Sequence, residues 1–167
     1  MASALVLSVF PLVGCASDKV DAVPAPGAAD ALLPASTVGS FGERTPEHAL
    51  LAWWRNTQYD DVQGFRQGFA DAVKQRLAPT TQLARSVAYF AGAIRTARPT
   101  IRSVERDGSA RATVYTLIEY RRPLGSSKYV SATVPRAFVM VFQRGDWRLV
   151  DDYFVRLSLP HSLQLPG

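Results

Sequence analysis

Residues 45–54, TPEHALLAWW, decide the fold because they begin the first long helix of the chain. Thr45 supplies a hydroxyl N-cap, Pro46 suits the first helical position, and Glu47 places an acid in the first turn. The apolar residues that follow recur at helical spacing and form one broad face: Ala49, Leu50, Trp53 and Trp54. The pattern predicts a helix that ends near Gln58 and turns this face toward the core.

Two further helices are predicted downstream. Asp60-Asp61 caps the second helix at its N-terminus, and Pro79 ends it. Its apolar positions keep the helical period: Val62, Phe65, Phe69, Val73 and Leu77. A third helix begins near residue 80 and is stopped by Pro99. Its apolar stripe consists of Leu83, Val87, Phe90 and Ile94, with Tyr89 beside it.

The pattern after residue 99 is that of strands. Four strands are predicted, at residues 100–106, 109–121, 129–143 and 147–157. Asp107-Gly108 is a strong hairpin turn signal, and Pro135 is expected to interrupt or bulge the third strand. In the second strand, alternate residues share one face: Ala112, Val114, Ile118 and Tyr120. Three helices followed by four antiparallel strands predict an α+β domain at residues 41–160, with the helices packed on one face of a curved sheet.

An apolar run at the N-terminus ends at the one cysteine of the chain. Residues 2–13 are apolar apart from two serines and a proline, and Gly14 directly precedes Cys15. A secretory h-region has about 7 to 15 residues whereas a spanning helix needs roughly 20, so the run fits a cleaved leader. The stretch Leu12-Val13-Gly14-Cys15 resembles the cleavage site of bacterial lipoproteins, which implies a lipid on Cys15 and removal of residues 1–14.

One observation disagrees with the interpretation of residues 1–14 as an export leader. No Lys or Arg lies before the apolar run, although an export leader normally opens with positive charge, and a start upstream of Met1 would explain this. The alternative is a soluble protein with an apolar N-terminus and a buried cysteine.

Residues 15–40 are rich in Ala, Pro, Gly and Ser and are predicted to be a flexible tether. The expected location is the exported side of a bacterial membrane, in the cell envelope.

The positive charge of the chain lies in the predicted head. Residues 41–167 hold 18 basic and 11 acidic side chains, a net charge of +7, which favours an anionic membrane surface. The sequence has no dense Lys/Arg run and no recognisable nucleic-acid motif, so nucleic acid is not expected as a partner. The two histidines, His48 and His161, are far apart, and no metal-binding spacing is present. We expect His48 to be a solvated helix-start residue, and no cofactor is predicted.

Two stretches carry a family resemblance, namely TPEHALLAWW and residues 138–155, FVMVFQRGDWRLVDDYFV. They resemble the small bacterial-lipoprotein branch of the nuclear transport factor 2-like superfamily. The matching motifs are Pro-Glu-x-Ala-Leu at residues 46–50 and Gly-x-Trp-x-Leu at residues 145–149. The resemblance implies a cone-shaped sheet with a pocket at its open end. It implies no single function, because the superfamily includes dehydratases, isomerases and transport factors.

The resemblance also implies candidate site residues. A buried acid in superfamily enzymes serves as general base, and alternation places Asp151 on the same strand face as Trp147 and Leu149. Tyr120 would be its hydrogen-bond donor, with Tyr89 and Tyr115 as alternatives. The alternative to this catalytic role is a structural one, in which Asp151 forms a salt bridge with an arginine such as Arg136. The ligand-pocket candidates are Trp53, Trp54, Tyr89, Tyr120, Phe138, Met140 and Asp151, although periodicity alone makes the apolar ones core residues.

Three functions follow from these observations. The first is a membrane-anchored envelope lipoprotein with a non-catalytic head that binds a small apolar ligand or a partner protein. The second is a cofactor-free lyase or isomerase that uses Asp151 as its base. The third is a secretion or envelope-assembly accessory module that docks through a sheet edge or a basic patch.

Overall fold

The computed structural model describes residues 32–77, 81–124 and 128–150 of the 167-residue chain. The helices in these residues are α1 (Ala35–Gly39), α2 (Pro46–Gln58), α3 (Val62–Gln67), α4 (Asp71–Arg76) and α5 (Thr81–Ile94). The strands are β1 (Ala97–Asp107), β2 (Arg111–Leu124), β3 (Lys128–Gln143) and β4 (Asp146–Leu149). The strands form one antiparallel sheet in the order β1-β2-β3-β4. The predicted α+β class is confirmed.

Helix α2 begins and ends where the sequence predicts. The side-chain oxygen of Thr45 accepts a hydrogen bond from the backbone N–H of His48 at 3.2 Å, and Pro46 occupies the first turn. The apolar face is buried, with Trp53 2% and Trp54 1% exposed. This helix contacts α1, α3, α5 and the strands β1, β2 and β4, so it is the element around which the described residues are packed.

The prediction of one continuous second helix is wrong, because the chain forms two helices, α3 and α4, with a break between them. The break pairs with the end of β4. The Leu149 N–H donates to the Gly68 carbonyl, and the Ala70 N–H donates to the Leu149 carbonyl, both at 2.8 Å. These backbone groups are therefore not available to a continuous helix. The predicted apolar positions nevertheless reach the core, since Phe65, Phe69, Val73 and Leu77 are all buried.

The sheet confirms the predicted turns and corrects two details. Gly108 and Gly145 occupy the hairpin turns with positive φ angles of 66° and 85°. Strand β3 pairs with β2 without a break at Pro135, and the irregularity lies in β1, between Ile101 and Ser103. Strand β4 pairs with only the last residues of β3, so Pro135 has a strand on one side alone among the described residues, where proline is tolerated.

Strand β1 starts earlier than the sequence predicts. It begins at Ala97, so Pro99 lies inside the strand and does not mark a boundary between the helix and the sheet. Its only strand partner in the described part of the chain is β2. An edge strand has room for proline because one row of its N–H groups has no sheet partner.

Most of the described core is one large cluster between the helices and the inner face of the sheet. Trp53 forms its centre, with ring centroids 5.7 Å from Phe65, 5.7 Å from Phe69 and 6.5 Å from Phe138. Both indole N–H groups of α2 are hydrogen-bonded, that of Trp53 to the Phe65 carbonyl and that of Trp54 to the Ala97 carbonyl. The described interior is thus filled by large side chains, and both indole N–H groups of α2 have partners.

The folded head begins before residue 41, so the predicted tether is too long at its C-terminal end. Leu33 and Val38 pack with Leu51 in a second small cluster against α2. Buried Gln58 fixes this segment, because its side-chain oxygen accepts from the Leu33 N–H at 2.9 Å and its amide donates to the Ile94 carbonyl at 3.1 Å.

Residues 1–31 and 151–167 lie outside the described residues, and with them the predicted leader, Cys15 and the end of the fourth strand. No helix in the described ranges combines the length and apolar character that crossing a bilayer requires.

Close packing of α3 on α2 depends on glycine. A Cβ atom at Gly68 would overlap the ring of Trp53, which is buried on all sides. We predict that Gly68→Ala lowers the free energy of unfolding by about 2–3 kcal/mol through overpacking. Gly92→Ala in α5 is the matched control, because nothing lies within 4 Å of its added methyl. The control should gain about 0.5–1 kcal/mol from helix propensity. Urea unfolding of both variants measures the effect, and equal stabilities would contradict the prediction.

Candidate functional site

A cleft of about 380 Å³ lies between α2, α3 and the turn that joins β3 to β4. Helix α2 contributes His48, Ala49, Ala52, Trp53 and Asn56 to its lining. The remaining lining residues are Glu43 and Arg44 before α2, Gly64, Gln67 and Gly68 from the α3 segment, and Gly145, Asp146, Trp147 and Arg148 from the turn. Its volume lies within the usual range for a ligand site, roughly 300 to 1,000 Å³.

Small residues contribute to the lining of the cleft on both helical segments. Ala49 and Ala52 lie on α2, and Gly64 and Gly68 lie on the α3 segment. The two glycines are positions of close contact, because a Cβ atom at Gly64 would overlap Asn56 and Asp61 and one at Gly68 would overlap Trp53. In the sequence, these small residues interrupt the apolar faces of the helices. The periodicity does not reveal that they lie at the same cleft.

His48 is held in one orientation at the cleft. Its Nδ1 atom lies 3.2 Å from the Phe41 carbonyl oxygen, and the residue is half-buried. Because a carbonyl can only accept, a hydrogen bond here requires the proton on Nδ1, and in a neutral ring Nε2 would then be the acceptor. His48 lies in the first turn of α2, as the sequence predicts, and is half-buried there.

The guanidinium of Arg148 joins the turn to α3. Nη1 donates to the Gln67 carbonyl at 2.6 Å, and Nη2 lies 3.0 Å from Oδ2 of Asp146. The other Asp146 oxygen accepts from the Trp147 N–H at 2.8 Å. The indole N–H of Trp147 donates to the Arg44 carbonyl at 3.1 Å, so the same turn also fixes the segment before α2.

Two titratable groups outside the cleft have shifted pKa values. The hydrogen bond from Lys74 lowers the pKa of Asp71, and Arg144 on the β3–β4 turn lowers it further. The hydrogen bond to Glu105 raises the pKa of Tyr115, whose hydroxyl donates to that carboxylate at 2.9 Å. Tyr115 is 39% exposed on the outer face of the sheet, so it does not face the interior where its predicted role as a donor would place it.

The predicted pocket residues are mainly core residues. Trp54, Phe138 and Met140 are each 1% exposed and belong to the large apolar cluster, whereas Trp53 belongs to that cluster and also borders the cleft. Tyr120 is partly buried and packs against the same cluster. The candidates that lie outside the described residues are Asp151, His161, Cys15 and the side chain of Tyr89.

No metal site is evident in the described ranges, where no three His, Cys, Asp or Glu side chains come together. The described residues therefore offer no side-chain set that would hold a metal ion. The charged groups at the cleft are instead arranged as contacts between the turn and its neighbours.

Sequence reasoning missed most of the cleft. Asn56, Gln67, Asp146 and Arg148 were not identified as site residues. One signal was available, because His48, Ala52 and Asn56 recur at four-residue spacing and form a strip of small and polar residues beside the apolar face of the helix. The sequence does not reveal that a turn about 90 residues later covers this strip.

Comparisons with known proteins give a limited result. No protein-family model and no curated protein matches the sequence. Among solved structures, the chain is similar to a SEC-C motif-containing protein of Rhodopseudomonas palustris, with 11% identity, a TM-score of 0.49, and coverage of 69% of this chain and 82% of that one.

Two further structures are similar over 60% of this chain. One is an NTF-2-like protein of unknown function from Shewanella oneidensis, with 11% identity, a TM-score of 0.40 and 88% of its own chain covered. The other is a Mycobacterium tuberculosis protein of unknown function, with 14% identity, a TM-score of 0.43 and 63% covered. At TM-scores below 0.5 these similarities carry no inference about family or function.

Arg144 in the β3–β4 turn and Arg148 in β4 provide a test of how the cleft is held together. Arg148→Ala removes the bonds to α3 and Asp146, and we predict a loss of about 1–2 kcal/mol in the free energy of unfolding. Arg144→Ala is the matched control, because its side chain is 81% exposed and its ion pair with Asp71 is screened by solvent, so its removal should change the stability little. Thermal and urea unfolding measure both effects, and an equal loss in the two variants would contradict the assigned role of Arg148.

Proposed function

We propose that this chain is a lipid-anchored protein of the bacterial cell envelope whose head acts by binding a partner at its surface, without catalysis. The filled interior of the described head is the observation that carries the proposal. Trp53, Trp54 and Phe138 occupy the space between α2 and the sheet at ring distances of 6.3 to 6.5 Å. A small apolar ligand would have to displace these packed rings, whereas the cleft is already open.

The chemistry of the cleft supports a binding role. The carboxylate of Asp146 is engaged by Arg148 and by a backbone N–H, so both of its oxygens already have partners. A general base needs a lone pair directed at its substrate, and this carboxylate instead fixes the position of the turn. The cleft therefore has the character of a preformed recognition surface.

The anchor is supported by the sequence. The residues before Cys15 have the length and the small residue of a lipoprotein cleavage site, and the described head begins at residue 32. A flexible coil of the 16 intervening residues would reach roughly 20–24 Å from the membrane. A head with an excess of basic side chains would be attracted to an anionic leaflet within that distance.

Mass spectrometry of the intact protein purified from membranes tests the anchor. We expect the loss of residues 1–14 and a lipid mass increment on Cys15. The matched control is Cys15→Ser, which should retain the leader and carry no lipid, because serine lacks the thiol that is modified. An unmodified N-terminus on the wild-type protein would contradict the anchor.

Photo-crosslinking in the same membranes tests the binding role. A photoreactive residue in place of Gln67, which lines the cleft, should give one discrete adduct of higher mass. Replacement of Gln63, an exposed glutamine of the same helix that does not line the cleft, is the control and should give none. Equal labelling at both positions, or none at either, would contradict surface binding through the cleft.

A further inference from the structure

We propose that the cleft binds a short extended peptide segment of a partner protein, and that the side-chain amides of Asn56 and Gln67 hydrogen-bond to its backbone. This inference rests on the proposed function, since it assigns a chemical class to the partner of the same surface. Four properties of the cleft carry it: its length, its amide groups, its charge balance and the burial of its aromatic rings.

The length of the cleft fits a few extended residues. From His48 to Asn56 it follows eight residues of α2, which is about 12 Å at a rise of 1.5 Å per residue. An extended chain advances about 3.3 Å per residue, so three to four residues span that distance. The cleft is partly open to solvent, as a segment that enters and leaves it requires.

The two amides match the chemistry of a peptide backbone. A carboxamide side chain carries an acceptor oxygen and a donor nitrogen, the same pair of groups that each peptide unit presents. Within the described ranges, the side-chain amides of Asn56 and Gln67 hydrogen-bond to no other group, and the two residues line the cleft from α2 and α3 respectively. Acceptor Nε2 of His48 adds a position for a backbone N–H at the other end.

The charge balance of the lining favours an uncharged segment. Glu43 and Asp146 contribute two carboxylates, and Arg44 and Arg148 contribute two guanidinium groups. The formal charges cancel with neutral His48, so the cleft has no net charge to attract a strongly acidic or basic ligand. A segment with polar, uncharged side chains avoids repulsion from either pair.

The aromatic rings at the cleft argue against two other ligand classes. Trp53 is 2% exposed and Trp147 is 3% exposed, so neither presents an open face on which a sugar ring can stack. The other apolar surface comes from the methyl groups of Ala49 and Ala52, which give an apolar small molecule little area to bury. A peptide needs neither feature, because its backbone is bound through hydrogen bonds.

A displayed random heptapeptide library, selected on the full-length protein in detergent micelles, tests the inference. Peptides that bind are synthesised, and their Kd is measured by calorimetry for the wild type and for three variants. Gln67→Ala and Asn56→Ala should each weaken binding about threefold to tenfold, as expected for one lost neutral hydrogen bond. Gln63→Ala should leave Kd unchanged, and thermal unfolding of each variant confirms that it is folded.

The outcomes separate this inference from the proposed function. The inference is overturned if no peptide is selected, or if the selected peptides bind the Gln67→Ala and Gln63→Ala variants equally well. It is also overturned if N-acetylglucosamine tetramer binds in place of the peptides and loses affinity in Gln67→Ala. A missing lipid on Cys15 would contradict the anchor and leave the peptide affinities intact. Failed peptide binding would leave the lipid mass and the crosslinked adduct intact.

Discussion

The close contact between Trp53 and the Gly68 backbone is the constraint on which the rest of the structure depends. It allows α3 to lie against α2 without a side chain between them, and it places Phe65 and Phe69 against the indole ring. With the helices at this separation, the backbone of Gly68 and Ala70 reaches the end of β4. The helical layer and the sheet are therefore joined by backbone hydrogen bonds as well as by apolar packing.

The cleft lies beside this contact, since Trp53 and Gly68 are both in its lining. Because α3 breaks after Gln67, the Gln67 carbonyl remains available to accept from Arg148, which joins the β3–β4 turn to the helix. The neighbouring residue of β4, Trp147, donates its indole N–H to the Arg44 carbonyl in the segment before α2. The elements that line the cleft are thus joined to one another by hydrogen bonds, so a ligand at this position would require little rearrangement of the chain.

The sequence and the structure agree where local chemistry decides the outcome. The start of α2 was predictable because the cap, the proline and the acid act within one turn, and the hairpin at Gly108 was predictable because glycine readily adopts its positive φ. The continuity of the second helix was not. Its apolar period extends across Gly68, and what breaks it is pairing with Leu149, a residue about 80 positions later.

The sequence by itself determined the class of fold and the inner face of α2 and β2. These features depend on periodicity and on groups that lie within a few residues of each other. Only the tertiary structure decided that the predicted pocket aromatics fill the core and that His48, Asn56, Gln67 and Arg148 meet in one cleft. The physical reason is that a cleft depends on the distance between elements. That distance is set by how closely buried side chains pack, which no local pattern contains.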